Sequence, residues 1–588
     1  MWSGRDATRQ LYLRQRQWPA QAGASVSRGP VSANSKRTVS KDMQRQRGNI
    51  VIVGGGPVGI CLAYDLGRRG LDCIVIDDAK PTLQRKAGSC NIRTMEHLRR
   101  FGLAEDVAEA FPIMPGHNLD IVFATGFSGY ELQRFRNALG WAHTEFSAEM
   151  TQMVPQRTLQ RVIRRKIEKR LPSVTFLDNT SVKHVSQHDE YAVLEVMDTV
   201  SGEVREIECA YVIGCDGGTS LVRKEIGSEL VGEGGLASNT RILFSAPSLY
   251  LKATIPIGQQ FWIASDKVNA SFAWGRGYQD NDWISMTIWK TNEDLERKIR
   301  ENPEAYITAG IGFEIPLEVI SVDVWKTHNL VADRWRSGRV FLAGDAAHLH
   351  PPTGGLGLNT GIGDVADLGW KIAAVVQGWG GTALLDSYEA ERRSTALRVV
   401  RQANHNYKSG SPGDYYVPGI DLEGPEGDAI RARIKNRIIA EKEDEFYSPG
   451  LVLGTSYETS PIIVPDGTPF VPPSTINYSP SARPGNRLPH SVDHEGTPIF
   501  RKITEGINLL FFAEEPNANV QRALEAAGRS GIPLKAISVE PRFAELYGAA
   551  YLLVRPDHHV AWRANEPPDA WHDILATVSG NLPAPIVP

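Results

Sequence analysis

Cysteine is scarce in this chain of 588 residues, and what little there is stays in the first half: Cys61, Cys73, Cys90, Cys209 and Cys215. The number is odd, the positions are scattered, and no two form a C-x-x-C pair. No disulfide framework or metal site is expected, and buried structural thiols in a reducing compartment are the reading. Long apolar runs are also missing, so no stretch has the length of a membrane-crossing helix. No charge sign dominates. Lys and Arg number 64 against 68 Asp and Glu, for a net charge of −4, which gives no reason to expect nucleic acid as a partner. The length allows about two to four domains with sizeable cores.

The first 47 residues differ from the rest. They hold ten Lys and Arg against Asp6 and Asp42, a local charge of +8, which leaves −12 for the remainder. They are rich in Arg, Ser and Gln and contain no hydrophobic signal core. A disordered leader, or an upstream start with Met43 as the true beginning, is the expectation; a mitochondrial transit peptide is the alternative. The expected location is accordingly cytoplasmic, with mitochondrial import as the second reading.

The most informative stretch is Asn49 to Asp78. The apolar run Ile50 to Val53 predicts a buried parallel strand. It ends in Gly54-Gly55-Gly56-Pro57-Val58-Gly59, a G-x-G-x-x-G turn. A helix follows, with Ile60, Ala63 and Leu66 inward and Gly70 at its end. A second strand, Cys73 to Ile76, delivers Asp77 and Asp78. Gly54 allows the tight turn, Gly56 admits a pyrophosphate close to the backbone, and Gly59 lets the helix pack against the strand. The helix N-terminus offers unpaired N–H groups and a positive dipole end to phosphate. Asp77 stands where ribose hydroxyls would be accepted. The unit binds a dinucleotide, and by itself does not separate NAD from FAD.

Downstream, Arg85 to Glu96 forms a basic loop that enters a helix with Met95, Leu98 and Leu103 on one face. Gln156 opens another helix, carried by Leu159, Val162, Ile163 and Ile167. Strands are expected at Val174–Leu177, Tyr191–Val196 and Cys209–Cys215. The last runs into Asp216-Gly217, with Arg223 beyond, an acid and glycine at the carboxyl end of a buried strand. Residues 240–330 alternate apolar and polar and carry Phe261, Trp262, Phe272, Trp274, Trp283, Trp289 and Trp325. This predicts an antiparallel sheet, with its aromatics in the core or over a flat ligand. A strand then ends at Gly344-Asp345. A loop containing Pro352, Gly354, Gly355, Leu356, Gly357, Leu358 and Asn359 feeds a helix over 361–377. Its glycines let backbone N–H groups approach a ligand that acquires negative charge. Residues 406–480, rich in Pro, Gly and charge, are expected to be an irregular connector or arm.

With these motifs in hand, the chain resembles the class A flavoprotein aromatic hydroxylases, the family of para-hydroxybenzoate and phenol hydroxylases. The match rests on the fingerprint at 54–59, Asp216-Gly217 with Arg223, and Gly344-Asp345 continuing to Asn359, in that order. The resemblance implies an α/β protein in which a Rossmann-like FAD-binding domain (48–117, 152–232, 336–405) interleaves with an antiparallel-sheet substrate domain (118–151, 233–335). It also implies roles: Asp77 on the adenosine ribose, Lys86 near the pyrophosphate where the family usually has Arg, and Gln156 facing the ribityl or phosphate region. Asp216 and Arg223 belong to a motif tied to FAD and NAD(P)H, Asp345 holds the ribityl chain, and residues 354–359 meet the isoalloxazine. Leu356 departs from the Gln of many members, a change that a backbone contact would survive. Lys for Arg at 86 keeps charge and loses the bidentate fork.

From 481 the order strand 507–513, helix 520–527, strand 534–539, hairpin and terminal helix resembles the thioredoxin-like domain of phenol hydroxylase relatives. Without a cysteine beyond Cys215 it has no dithiol chemistry. A structural or subunit-contact role, as in a homodimer, is the reading. The family implies FAD, NADH or NADPH as donor, O2, and hydroxylation of a phenolic or electron-rich aromatic through a flavin C4a-hydroperoxide. A Baeyer–Villiger oxygenase or an epoxidase on the same scaffold is the alternative. A non-catalytic FAD protein or prenyl carrier is disfavoured by the complete 354–359 loop. No residue announces itself as a catalytic base. His348 and His350 are expected to be loop hydrogen-bonders.

Overall fold

The computed structural model describes residues 50–78, 88–111, 119–275, 283–568 and 570–581. The leader and Lys86 lie outside the described residues.

The strand Ile50–Val53 is buried along its whole length and lies in the middle of a six-stranded sheet. The order is Arg336–Ser337, Val340–Leu342, Tyr211–Gly214, Ile50–Val53, Cys73–Asp77, Val174–Asp178. Only the short edge strand Arg336–Ser337 runs antiparallel to its neighbour. Parallel strands need crossovers, and these are helices. The helix Pro57–Arg68 touches both Gln156–Arg170 and Gly357–Val376. The expected strand at Cys209–Cys215 is two elements. Val204–Cys209 belongs to a three-stranded antiparallel sheet, and Tyr211–Gly214 turns into the parallel one. One apolar run thus serves two sheets, which hydropathy alone does not reveal.

An eight-stranded sheet carries the aromatics of 240–330. Its order is His348–Leu349, Glu318–Ala332, Leu230–Ser245, Trp283–Thr291, Ala270–Gly275, Gln260–Ile263, Ile121–Ala124, Glu131–Phe135. It is antiparallel except where Gln260–Ile263 runs parallel to Ile121–Ala124. Strand alternation sorts its side chains. Phe261, Phe272, Ile284 and Met286 face a core closed by Ile299, Ile307 and Ile311 of two short helices. Trp262, Ser271, Ser285, Thr287 and Trp289 face the other way, into a cavity.

The stretch 406–480 is not irregular throughout. A 22-residue helix, Pro425–Phe446, crosses it. Few apolar residues mark it, but Ile434, Ile438 and Phe446 pack against Phe123, Trp262 and Tyr415. So polar a helix forms because packing, rather than propensity, supplies most helical stability in proteins. The helix after the 344–359 loop also starts earlier than expected, at Gly357.

The C-terminal unit holds a four-stranded sheet ordered Leu534–Ser538, Ile507–Phe511, Tyr551–Val554, Val560–Ala564. It docks onto the rest through buried ion pairs. Glu96 is clasped by Arg487, with Nε at 3.0 Å from Oε2, and by Arg93, at 2.8 Å. Arg93 Nη2 also donates to the Asp557 carbonyl at 2.6 Å, and Arg100 Nη1 to that of Pro556 at 2.7 Å.

Candidate active site

The glycine turn has the geometry its spacing promises. Gly54 sits at φ +106°, and a Cβ there would lie 2.3 Å from the Cys215 carbonyl oxygen. A Cβ on Gly59 would lie 2.0 Å from the Gly54 carbonyl. A Cβ on Gly56 would meet nothing within 4 Å, so this backbone is open to an approaching ligand. Asp77 Oδ2 accepts the Gly55 N–H at 3.0 Å, which ties the acid to the turn it follows. Asp78 is exposed beside it.

At the other motif, Gly354 and Gly355 adopt φ +77° and +65°, and the Gly357–Val376 helix begins without a side-chain cap. Its first-turn N–H groups are thus available to a ligand. The loop is held from several sides. Thr353 Oγ1 donates to the Ala403 carbonyl at 2.7 Å. Asn359 accepts the Asn91 N–H at 2.8 Å and donates to the Gly355 carbonyl at 2.7 Å. The Gly354 N–H donates to Glu445, which comes from the Pro425–Phe446 helix.

Both motifs open onto one cavity of about 530 Å³. Gly56, Pro57, Val58, Gln156, Asp345, Pro352, Gly354, Gly355, Leu356, Gly357 and Leu358 line it. Gly54, Gly59, Asp77, Gly344 and Asn359 do not line it. Asp216 and Arg223 also lie off the wall. The Asp216 carboxylate accepts from Ser220 Oγ at 2.5 Å and the Val222 N–H at 3.1 Å, capping the helix Leu221–Glu225. Arg223 donates to the carbonyls of Ala346 and Gly218, both at 2.9 Å. The two residues brace Gly217 and the Gly344–Ala346 turn, and of this motif it is Gly217 that lines the cavity.

The opposite wall comes from the eight-stranded sheet. Trp262 stacks with Trp289 at 6.0 Å, and Trp325 meets Trp289 edge-on at 6.2 Å. Nε1 of Trp262 and Trp289 are occupied by Gln260 and Ser271, whereas Nε1 of Trp325 and of Trp141 are buried without a partner. Arg241 and Gln259 add polar groups. Burial lowers the Arg241 guanidinium, against the opposing pull of Asp323. Below Trp262, Lys442 Nζ lies 5.2 Å from the ring centroid and 3.0 Å from Glu445 Oε2. Burial raises the Glu445 carboxyl, against Lys442. None of Arg241, Gln259, Trp141, Lys442 or Glu445 carries a motif, and only the alternation of the strands hinted at Arg241.

The two histidines part company. His348 Nε2 lies 3.0 Å from Asp364 Oδ2, which also accepts the Gly344 N–H at 3.0 Å. Arg392 Nε donates to Oδ1 of the same acid at 3.0 Å. His350 Nδ1 contacts the Pro351 carbonyl at 2.8 Å, and its Nε2, near Gly357, has no partner. Burial and His348 push it down to about 4, so it is neutral at pH 7.

Among the described residues, Asp367, Glu391 and Asp557 could converge on a metal. Arg555 and Lys371 hold these carboxylates at 2.5–2.8 Å, as a cation would. No described helix is long and apolar enough to cross a membrane.

An open phosphate turn, an uncapped helix start and unpartnered ring N–H groups around one cavity fit a dinucleotide with an aromatic head. The fold and site thus define a nucleotide-cofactor enzyme whose two glycine motifs share one cavity with the aromatic face of a sheet. The FAD binding domain family matches residues 47–403, and the aromatic-ring hydroxylase C-terminal family matches 481–581. Aklavinone 12-hydroxylase RdmE of Streptomyces purpurascens is 30% identical over 572 residues, covering 91% of this chain and 98% of its own. A 4-methyl-5-nitrocatechol 5-monooxygenase from a Burkholderia species is 29% identical over 562 residues, covering 90% and 97%. The solved structure of native and K252c-bound RebC-10x superposes with a TM-score of 0.81 at 30% identity, covering 91% of this chain and 99% of that one. The chain belongs to the FAD-dependent aromatic-ring hydroxylase family of monooxygenases.

Proposed function

We propose that this enzyme hydroxylates a phenolic or similarly electron-rich aromatic, with NADH or NADPH as electron donor. The observation that supports it is the shared cavity: the 354–358 loop and the Trp262–Trp289–Trp325 row face the same space. Gly54, Gly56, Pro57, Val58 and Gly59 would hold the FAD pyrophosphate, Asp77 the adenosine ribose, Asp345 the ribityl chain, and Gly354 to Leu358 the ring system. Asp78, Lys86, Gln156, Gly344, Pro352 and Asn359 complete this cofactor set, and Asp216 and Arg223 act on it as braces. Bound FAD would supply the redox chemistry, relaying two electrons from NAD(P)H to O2.

The chain's own residues do the rest. The Gly357–Val376 helix start stabilises negative charge that develops beside it. The indole row excludes water and holds a flat ring face-on. Arg241 and the free Nε1 groups of Trp141 and Trp325 orient an oxygen on that ring. Neutral His350 gives its Nδ1–H to the Pro351 carbonyl and stands at Gly357 with Nε2 able to accept a proton. The names of the similar proteins, which include a nitrocatechol monooxygenase and an aklavinone hydroxylase, agree with a ring substrate.

The test is NAD(P)H oxidation with a panel of phenols and fused-ring aromatics, followed by product mass and NMR. A substrate should raise the oxidation rate and gain one oxygen as a ring hydroxyl. A lactone or an epoxide would move the assignment to Baeyer–Villiger or epoxidase chemistry. Oxidation that no aromatic stimulates would overturn it.

A further inference from the structure

Behind the 354–359 loop lies a second, smaller cavity of about 50 Å³. Four of its lining residues have basic side chains and are more than nine-tenths buried: Arg93, His97, Arg392 and His559. No Asp or Glu lines it. His97 Nδ1 and His559 Nε2 have no hydrogen-bond partner. Burial leads the forces that push both imidazoles down, His559 to about 4, so each is neutral at pH 7 and carries one N–H, and Asp557 Oδ2 stands 3.4 Å from His559 Nδ1.

The groups nearest the cavity carry more positive than negative charge, since two guanidiniums line it and no carboxylate does. Glu96 is shared between two guanidiniums, Arg93 and Arg487, which leaves an excess of one positive charge beside the cavity. Asp364 lies on the Nε side of Arg392, whose Nη groups reach Tyr457 Oη and the Thr360 carbonyl, both at 3.2 Å. In the next network Asp367, Glu391 and Asp557 turn their carboxylates onto Arg555 and Lys371, and none of the three lines the cavity. Burial leads in raising the Asp367 carboxyl above the usual carboxylate range, against the pull of Lys371 and Arg555. A buried charge without a partner is costly, and the space beside it has the size of a small ion with a water or two.

We propose that this cavity, bounded by Arg93, Arg392, His97 and His559, is a binding site for a small monovalent anion of chloride size. Asn359 and Thr360 also line it, so the bound ion braces the first turn of the Gly357–Val376 helix from the side opposite the main cavity.

Bromide is the probe. Crystals of the FAD-loaded protein grown with bromide in place of chloride should show an anomalous peak in this cavity, within hydrogen-bond reach of Arg93 or Arg392. Water density there, with no anomalous signal, overturns the proposal. In solution, the thermal midpoint of the same protein should be higher in sodium chloride than in sodium gluconate at equal ionic strength. Val452 lines the cavity and takes no part in the ion pairs. Val452→Phe should fill the space and abolish the chloride-dependent shift, and a shift of unchanged size in that variant would also overturn the proposal. Should Val452→Phe not fold, the anomalous map of the unaltered protein decides.

Discussion

Arg555 of the C-terminal unit forks onto Glu391 of the long helix Ala383–Lys408, Nη1 to Oε1 at 2.6 Å and Nη2 to Oε2 at 2.8 Å, with neither side chain exposed. The chain positions are far apart, and the contact welds the C-terminal unit to the helix layer that backs the cofactor site. Lys371 reaches the same carboxylate at 2.5 Å, and Asp557 and Asp367 take the remaining guanidinium donors.

Arg555→Met should therefore destabilise strongly. Removing one member of a buried, hydrogen-bonded ion network costs about 3–5 kcal/mol, because the partners stay buried and uncompensated. Urea unfolding followed by circular dichroism and by flavin fluorescence should show a lower midpoint on both probes. An unchanged midpoint would mean the network is not a clamp.

Glu96 makes stability depend on pH. Burial alone would raise its carboxyl, but Arg487 and Arg93 outweigh burial and hold it at about 2. An unfolded glutamate titrates near ~4.3. The folded protein thus binds this proton less readily than the unfolded chain. The stabilisation is complete above the unfolded value and is lost as pH falls from about 5 towards 2. Its size is about 3 kcal/mol. Glu96→Gln should be less stable than the unaltered protein at pH 7, and the gap should close in acid, as read from urea midpoints at pH 7, 5, 4 and 3.

The two ends of the glycine turn should respond differently. Gly54→Ala forces a side chain into φ +106° and against the Cys215 carbonyl, so the apoprotein itself should lose stability. Gly56→Ala adds a methyl to open space, so the apoprotein should keep its melting temperature while FAD affinity falls. Calorimetry of the apoproteins and flavin fluorescence titration separate the two effects.

Asp345 is exposed at the cavity wall. Asp345→Ala should weaken FAD retention by about 1.5–3 kcal/mol, the scale of a charged hydrogen bond, or roughly ten- to a hundredfold in Kd. Cys73→Ser, at a buried site whose neighbours do not line the cavity, is the control and should bind FAD far better. Equal affinity of the two variants by titration would remove Asp345 from the cofactor set.

What the sequence determined by itself is local. The strand, turn and helix of 50–68, the acid at 77, the glycines at 344–357 and the element order of the last hundred residues all follow from spacings within a few tens of residues. Such spacings encode backbone conformation directly: a positive φ needs glycine, and a buried parallel strand needs an apolar run. Tertiary structure decided everything that depends on where a side chain points across long separations. It set the side chains of Asp216 and Arg223 onto the neighbouring backbone at 218, 222 and 346, and it split the 204–215 stretch between two sheets. It ordered Pro425–Phe446 as a helix and brought Glu445 to Gly354. It set Trp262, Trp289 and Trp325 on the chamber wall while Phe261 and Phe272 went into the core. Neighbouring residues of one strand face opposite ways, and which face meets a cavity is settled by the sheets and helices packed around it, which no local pattern records.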